Sequence, residues 1–223
     1  MMRRYVFPVL MGVVGVAFLM WLGFWQLDRM AEKQVYIDAI EARISKAPVP
    51  LPAAPEEAED EFQAVFVEGR FTGQALNVLS AHKGELPGAL VIEAFLTGDG
   101  RRIMVQRGFV EDDARNTPRT VTAARIEGNL QWPQDSNAYT PPPDAKTGLW
   151  FARDVPAMAT ALKTEPVLIV ARSDTGDGIA AAPVDTSGIP NDHWGYAIQW
   201  FLLAVTWAGM TLFLLWRIRG RKV

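Results

Sequence analysis

The feature that most constrains this chain is a pair of charge-free apolar blocks, one near each end. No Asp, Glu, Lys or Arg falls between Tyr5 and Leu27, and none between Trp194 and Trp216. Each block has about 23 residues, roughly 34 Å as an α-helix, and the hydrocarbon core of a bilayer is about 30 Å thick. Aromatic residues bracket both: Tyr5, Phe7, Trp21, Phe24 and Trp25 on the first, Trp194, Tyr196, Trp200 and Trp216 on the second. Such rings favour the headgroup level of a membrane. A pair of buried core helices is the alternative, but a globular helix of this length rarely lacks charge on every face. A cleaved signal peptide is the other alternative for the first block, since Arg3 and Arg4 make a basic start. The run exceeds the usual apolar region of roughly 7–15 residues and no Ala-x-Ala-like site follows it, so it reads as an uncleaved anchor.

The charges beside the second block set the orientation. Arg217, Arg219, Arg221 and Lys222 follow it, whereas Asp174, Asp177, Asp185 and Asp192 precede it with no basic residue among them. Basic flanks stay in the cytoplasm. Arg3 and Arg4 against Arg29 and Lys33 leave the first block undecided, but with two spans both termini share a side. The expected organisation is a cytoplasmic N-terminus (1–4), a transmembrane helix (5–27), an extracytoplasmic domain (28–192), a second transmembrane helix (194–216) and a cytoplasmic basic tail (217–223).

Between the anchors the pattern changes twice. Residues 28–46 hold no Gly or Pro, and Met30, Ile37, Ile40 and Ile44 recur on one helical face. The first helix is therefore expected to run on beyond the membrane and lay that stripe on the domain. Pro48, Pro50, Pro52 and Pro55 end it, and Glu56, Glu57, Glu59, Asp60 and Glu61 read as a solvated loop. From Phe62 the period becomes two. Segments 62–71, 76–81, 89–96, 101–110, 123–132, 149–153 and 167–172 read as strands, with a hairpin turn at Gly98-Asp99-Gly100 and a short helix at 156–163. Pro141-Pro142-Pro143 interrupts the run, and 175–192 is a Gly-, Asp- and Pro-rich loop. The expected fold class is a membrane protein, two transmembrane helices flanking an α+β, mainly antiparallel-strand extracytoplasmic domain.

Composition narrows the chemistry. With no cysteine, the chain has no disulfide, thiolate-bound zinc, iron–sulfur cluster, Cys nucleophile or covalent c-type haem. A net charge of -3 gives no global footprint for nucleic acid. Gly-x-Ser-x-Gly and His-Glu-x-x-His are both missing. Asp174-Thr175-Gly176 matches the turn in which aspartic proteases hold a catalytic carboxylate, and Asp185-Thr186-Ser187 echoes it. The two copies are too close in sequence to come from two symmetric lobes, and these residues are common in turns. The methionines are scattered, and only His82 and His193 offer imidazoles, which argues against a copper or zinc site. His82, beside Lys83-Gly84, reads as a surface residue.

His193 is placed differently. It stands just before the second block, with Tyr196 and Trp200 at i+3 and i+7 on its helical face and with Ala197 and Ala204 leaving shallow space beside them. Trp25 and Gln26 close the first block at the same membrane face, and Arg29 lies one turn farther out. An imidazole, flat aromatic walls and a guanidinium would suit a haem, as axial ligand, apolar cavity and propionate partner. An interfacial aromatic belt with a histidine at a helix entrance fits the same residues and, on composition alone, is the commoner arrangement.

Three segments together resemble a known family. The first block ends Leu22-Gly23-Phe24-Trp25-Gln26-Leu27-Asp28-Arg29, followed by Lys33. The middle holds Val105-Gln106-Arg107-Gly108-Phe109-Val110, and the second block opens Pro190-Asn191-Asp192-His193-Trp194-Gly195-Tyr196-Ala197-Ile198-Gln199-Trp200-Phe201. In this order, with two spans, the chain resembles over essentially its whole length the surfeit locus protein (Shy) family, assembly factors for haem–copper terminal oxidases. Trp194 stands where the family often has Leu, and the acidic, Pro-rich segment 47–61 stands apart from the pattern; neither touches the three motifs.

The resemblance implies a part in cytochrome c oxidase assembly, the biogenesis of respiratory complex IV. It implies that haem a is bound and passed to oxidase subunit I by a chaperone rather than an enzyme. His193 matches the family histidine proposed as ligand to haem iron. Tyr196, Trp200 and Trp25 would contact the macrocycle beside Gln26, and Arg29 or Arg107 would meet a propionate. No transit peptide precedes Arg3, which favours a bacterial cell inner membrane with the central domain periplasmic. The expected partners are oxidase subunit I, haem a synthase and the lipid bilayer, with no nucleic acid. The alternative is a haem-independent scaffold that stabilises subunit I or recruits the synthase, for which Gly12, Gly15, Ala204 and Ala208 offer small-residue faces. The two spans packing on each other would use the same faces. Arg107-Gly108 likewise has a second reading, a bulge glycine with the arginine in a surface ion pair.

Overall fold

The computed structural model describes residues 3–81 and 87–220; His82 lies outside the described residues. In chain order the elements are α1 (Arg3–Ile44), β1 (Val49–Pro50), α2 (Glu57–Asp60), β2 (Ala64–Ala81), β3 (Pro87–Thr97), β4 (Arg102–Glu111), β5 (Ala123–Leu130), β6 (Leu149–Trp150), α3 (Val155–Leu162), β7 (Leu168–Ala171) and α4 (His193–Gly220). They form two compact units, Met1–Ala39 with Thr186–Val223, and Ile40–Asp185.

The first unit is a helix pair. α1 has 42 residues and α4 has 28, and both are long and apolar enough to cross a bilayer. They pack antiparallel, with Gly12 against Thr211, Gly15 against the Trp207 indole and Gly23 against the Phe201 ring. Trp207 Nε1 donates to the Met11 carbonyl at 3.3 Å, and the Phe24 and Phe201 rings meet edge to face at 5.4 Å. Ala197 and Ala204 are buried. The shallow space expected beside those two alanines is therefore filled, because small residues let two helices approach until their neighbours' rings close the seam.

The second unit is built on β2. Its first half pairs with β5 and its second half with β3. The pairings β3–β4, β4–β7 and β7–β5 complete the circuit, so five strands close on themselves. Alternate residues line the inside, among them Val65, Val67, Phe71, Phe95, Ile103, Val105, Ile126, Leu130 and Ile169. On the other face Ile92, Ala94, Met104 and Leu168 pack with Val155, Met158, Ala159 and Leu162 of α3. Asp154 caps α3 by accepting from Ala157 N at 3.0 Å, and Lys163 ends it in the left-handed region at φ 55°.

Within this unit the last turn of α1 is tied down. Arg172 donates to the carbonyls of Ile44 and Lys46 and, through Nε, to Asn129 Oδ1 at 2.9 Å. Asn129 Nδ2 donates to Ile44 O at 3.3 Å and Phe62 O at 2.9 Å. A cation and an amide thus satisfy carbonyls that a helix end leaves open.

Two expectations are corrected, and a third, the mainly antiparallel sheet, is refined. Segments 62–71 and 76–81 are one strand, shifted in register between Phe71 and Ala75, where Gly73 takes φ 77°. A strand serving two neighbours in a closed circuit must bend, and an irregularity does this without ending the ladder. The sheet is mixed. Its long pairings are antiparallel, but β1–β2, β2–β6 and β4–β7 are parallel. The α3 crossover returns the chain to β7 in the direction of β4, and β1 and β6 are two-residue strands laid along β2. The acidic run is not wholly loop, since Glu57–Asp60 forms one helical turn with no buried residue.

Candidate functional site

In the helix unit, α4 starts where the Asp192 carbonyl accepts from Gly195 N at 3.1 Å. This puts His193 at the helix entrance, with its Nδ1 2.7 Å from Gln26 Oε1 of α1. An amide oxygen only accepts, so Nδ1 carries the proton and donates. In the neutral ring Nε2 then keeps its lone pair, the arrangement in which metal-ligating histidines are held by an acceptor on the opposite nitrogen. Just before it, Asn191 Nδ2 donates to Gln34 Oε1 at 3.4 Å, while Asn191 Oδ1 is buried without a hydrogen-bond partner.

The surrounding rings are open. Tyr196 is 53% exposed and Trp25 40%, while Trp200 is half-buried. The Arg29 guanidinium lies 5.7 Å from the Trp25 ring centroid and pairs with Glu32 at 2.7 Å. Of the residues singled out in the sequence, the fold joins His193 to Gln26 and Trp25 to Arg29. Tyr196 and Trp200 share the helical face of His193. The result is a pinned imidazole beside an exposed aromatic surface.

Arg107 belongs to the strand unit. The expected bulge is present: Val91 pairs with Gly108 and Ile92 with Gln106, leaving Arg107 as the extra residue. Gly108 has φ 145°, and a Cβ there would collide with the Ala180 carbonyl, so only glycine fits. The ion pair is not on the surface, however. The side chains of Arg107 and Glu93 are both 0% exposed.

Nη1 of Arg107 donates to Glu93 Oε2 at 2.7 Å and Asp177 Oδ2 at 2.9 Å. Nε donates to Thr175 Oγ1 at 2.9 Å and Nη2 to Thr175 O at 2.8 Å. The Phe71 ring lies under the guanidinium, 4.3 Å away. Glu93 Oε1 accepts from Gly73 N at 2.7 Å, so the same carboxylate also holds the bend in β2. Asp177 accepts from the Thr120 hydroxyl at 2.5 Å and amide at 3.1 Å. The Thr120 hydroxyl first, then its amide and Arg107, hold the Asp177 carboxyl below its ordinary range against the opposing effect of burial. Burial and the nearby Arg107 charge pull Arg119 down.

Sequence reasoning missed Glu93, Thr175, Thr120 and Asp177 as one cluster. The available signal was Glu93 itself, a carboxylate in an otherwise apolar strand, which burial obliges to find a partner. Asp174 accepts from Gly176 N at 2.6 Å and so shapes its own turn, bringing Thr175 to Arg107.

The profile of the SURF1 family matches residues 13–205. The chain is 30% identical over 207 residues to Surfeit locus protein 1 of Xenopus tropicalis, covering 81% of this chain and 66% of that protein. It is 30% identical over 208 residues to Surfeit locus protein 1 of Homo sapiens, covering 82% and 69%. With the SURF1-like protein of Rickettsia prowazekii (strain Madrid E) it shares 28% over 196 residues, covering 82% and 80%. The chain thus spans about two thirds of the length of these vertebrate relatives. Since the match runs from within α1, through the whole strand unit and past His193 into α4, this chain belongs to the SURF1 family.

Proposed function

We propose that this chain is a two-span membrane protein that assists assembly of a haem–copper terminal oxidase, cytochrome c oxidase, by holding haem a at His193 and passing it to oxidase subunit I. The observation that carries this reading is the 2.7 Å bond between His193 Nδ1 and Gln26 Oε1. It fixes the ring and keeps Nε2 available as a ligand. The donor set fits a haem: one neutral imidazole for iron, the exposed rings of Tyr196 and Trp25 with Trp200 for the macrocycle, and Arg29 for a propionate. Arg107 already makes four hydrogen bonds inside its own unit, so the propionate role falls to Arg29. Haem supplies redox iron to the oxidase; this chain's residues bind, orient and release it, and no bond is made or broken here. A single imidazole on an open surface favours release over retention.

Membrane insertion is supported by the surfaces of the helices. Phe7, Val13, Leu202, Val205 and Leu212 are each at least 61% exposed, and so much apolar surface needs lipid around it. The basic residues after the second span favour cytoplasmic termini, with the strand unit on the periplasmic side of a bacterial inner membrane. In this reading haem a synthase is the donor. The scaffold reading draws less support, because Gly12 and Gly15 are occupied by the chain's own α4.

The test is the Soret spectrum of full-length protein purified from cells that make haem a. Wild type is expected to carry haem a and His193→Ala to lose it. Equal occupancy in both would sink the ligand assignment. Haem-free wild type that still co-purifies with oxidase precursors would transfer the function to the scaffold.

A further inference from the structure

The helix pair carries a second feature, at the opposite end of α4 from His193. A groove of about 520 Å³ lies between the helices, its walls including Pro8, Met11, Gly12, Trp207, Met210 and Arg217. Pro8 and Gly12, about one turn apart, line the α1 wall, with Thr211 packed against Gly12, and Trp207 and Met210 form the other. The Thr211 hydroxyl in the lining is committed to the Trp207 carbonyl at 2.8 Å. Among the described residues lining the trough, Arg217 is therefore the one charged group in otherwise apolar surroundings.

Its charge has no counterpart nearby in the sequence. No Asp or Glu occurs in residues 1–27 or 193–223. The antiparallel packing brings the start of α1 to the same end as Arg217 and Arg219. An apolar trough that ends at a guanidinium with no acidic residue near it in the sequence, and with Arg219 two residues on, is complementary to an amphiphile with an anionic head.

We propose that this groove binds an anionic phospholipid, with an acyl chain along the trough and the phosphate on Arg217. The proposal rests on the reading of α1 and α4 as membrane spans. Lipid bound here would brace the helix pair at the end away from the candidate haem site.

The experiment uses delipidated full-length protein in detergent, titrated with phosphatidylglycerol or phosphatidylcholine and read by native mass spectrometry. Wild type is expected to retain phosphatidylglycerol about fivefold better than phosphatidylcholine. Arg217→Gln should lose that preference and Arg219→Gln should keep it. Met210→Trp, which fills the trough, should lower retention of both lipids. Equal retention of the two lipids by wild type overturns the proposal, as does an unchanged preference in Arg217→Gln. Equal losses in Arg217→Gln and Arg219→Gln would reduce the site to a general basic surface and also overturn it. So would a photo-crosslinker at Met210 that captures a protein rather than lipid. Carbonate extraction of membranes separates the two readings. A wild type released as soluble protein sinks the spans, whereas an integral protein without lipid preference sinks only the groove.

Discussion

Arg107 is held out of water by four hydrogen bonds and an aromatic face, and its two carboxylate partners come from β3 and from the turn after β7. Removing one member strands the others. Glu93→Gln should destabilise the full chain by up to about 3–5 kcal/mol in a denaturant titration, since the buried guanidinium then has only the Asp177 carboxylate to offset its charge. Arg125→Gln, in an exposed pair with Glu68, should cost no more than about 1 kcal/mol in the same titration. Asp177 adds a pH signature. Its carboxyl sits below its ordinary value of 3.8 in the folded state, so the native form binds that proton less readily than the unfolded chain. Its contribution is full above the unfolded value and is lost as pH falls through the folded one. The melting-temperature gap between wild type and Asp177→Asn should be flat from about pH 5 to 8 and shrink below about pH 4. A gap that widened in acid would refute this assignment. The bulge at Arg107-Gly108 was legible in the sequence because a glycine after a long side chain in a strand has few other uses. Thr175 was not, because it lies 68 residues from Arg107 and only the closed circuit of strands brings it near.

The elements divide by how locally their cause acts. The two long helices were legible in outline, since a charge-free run and an unbroken 3.6-residue stripe are local signals. What they pack against was not. Gly15 sits against the Trp207 indole, whereas a Cβ added at Gly209, on the same helix as that indole, would meet nothing within 4 Å. Gly15→Leu should therefore cost about 1–3 kcal/mol through overpacking, seen as a lower midpoint in thermal unfolding followed by helical circular dichroism in detergent. Gly209→Leu should leave the midpoint nearly unchanged. β2 shows the complementary case. Its period-two pattern was visible on both sides of Gly73, but whether Thr72–Gln74 ended a strand or bent one depends on the partners, β5 before and β3 after.

At the scale of the whole molecule, orientation is the property to measure, and the absence of cysteine gives a clean background for it. A membrane-impermeant maleimide should label Ser136→Cys in intact spheroplasts, and label Gly220→Cys only after permeabilisation. The reverse pattern would overturn the proposed topology and put His193 on the cytoplasmic side. The family match runs from within the first helix through the strand unit into the last helix, so the order of the three sequence motifs follows the architecture: end of the apolar part of the first helix, bulged strand, start of the last helix.

The sequence by itself determined the two long apolar helices, the strand-rich unit between them and the family, because each rests on local periodicity or on motif order. It also singled out His193 and Gln26. Only the tertiary structure decided that these two side chains meet, that Arg107 is buried rather than at the surface, and that parallel pairings enter the sheet. Each of those depends on which distant segments the fold brings within hydrogen-bonding distance. In a chain with no cysteine and only two histidines to advertise a site, separation in sequence carries no trace of it.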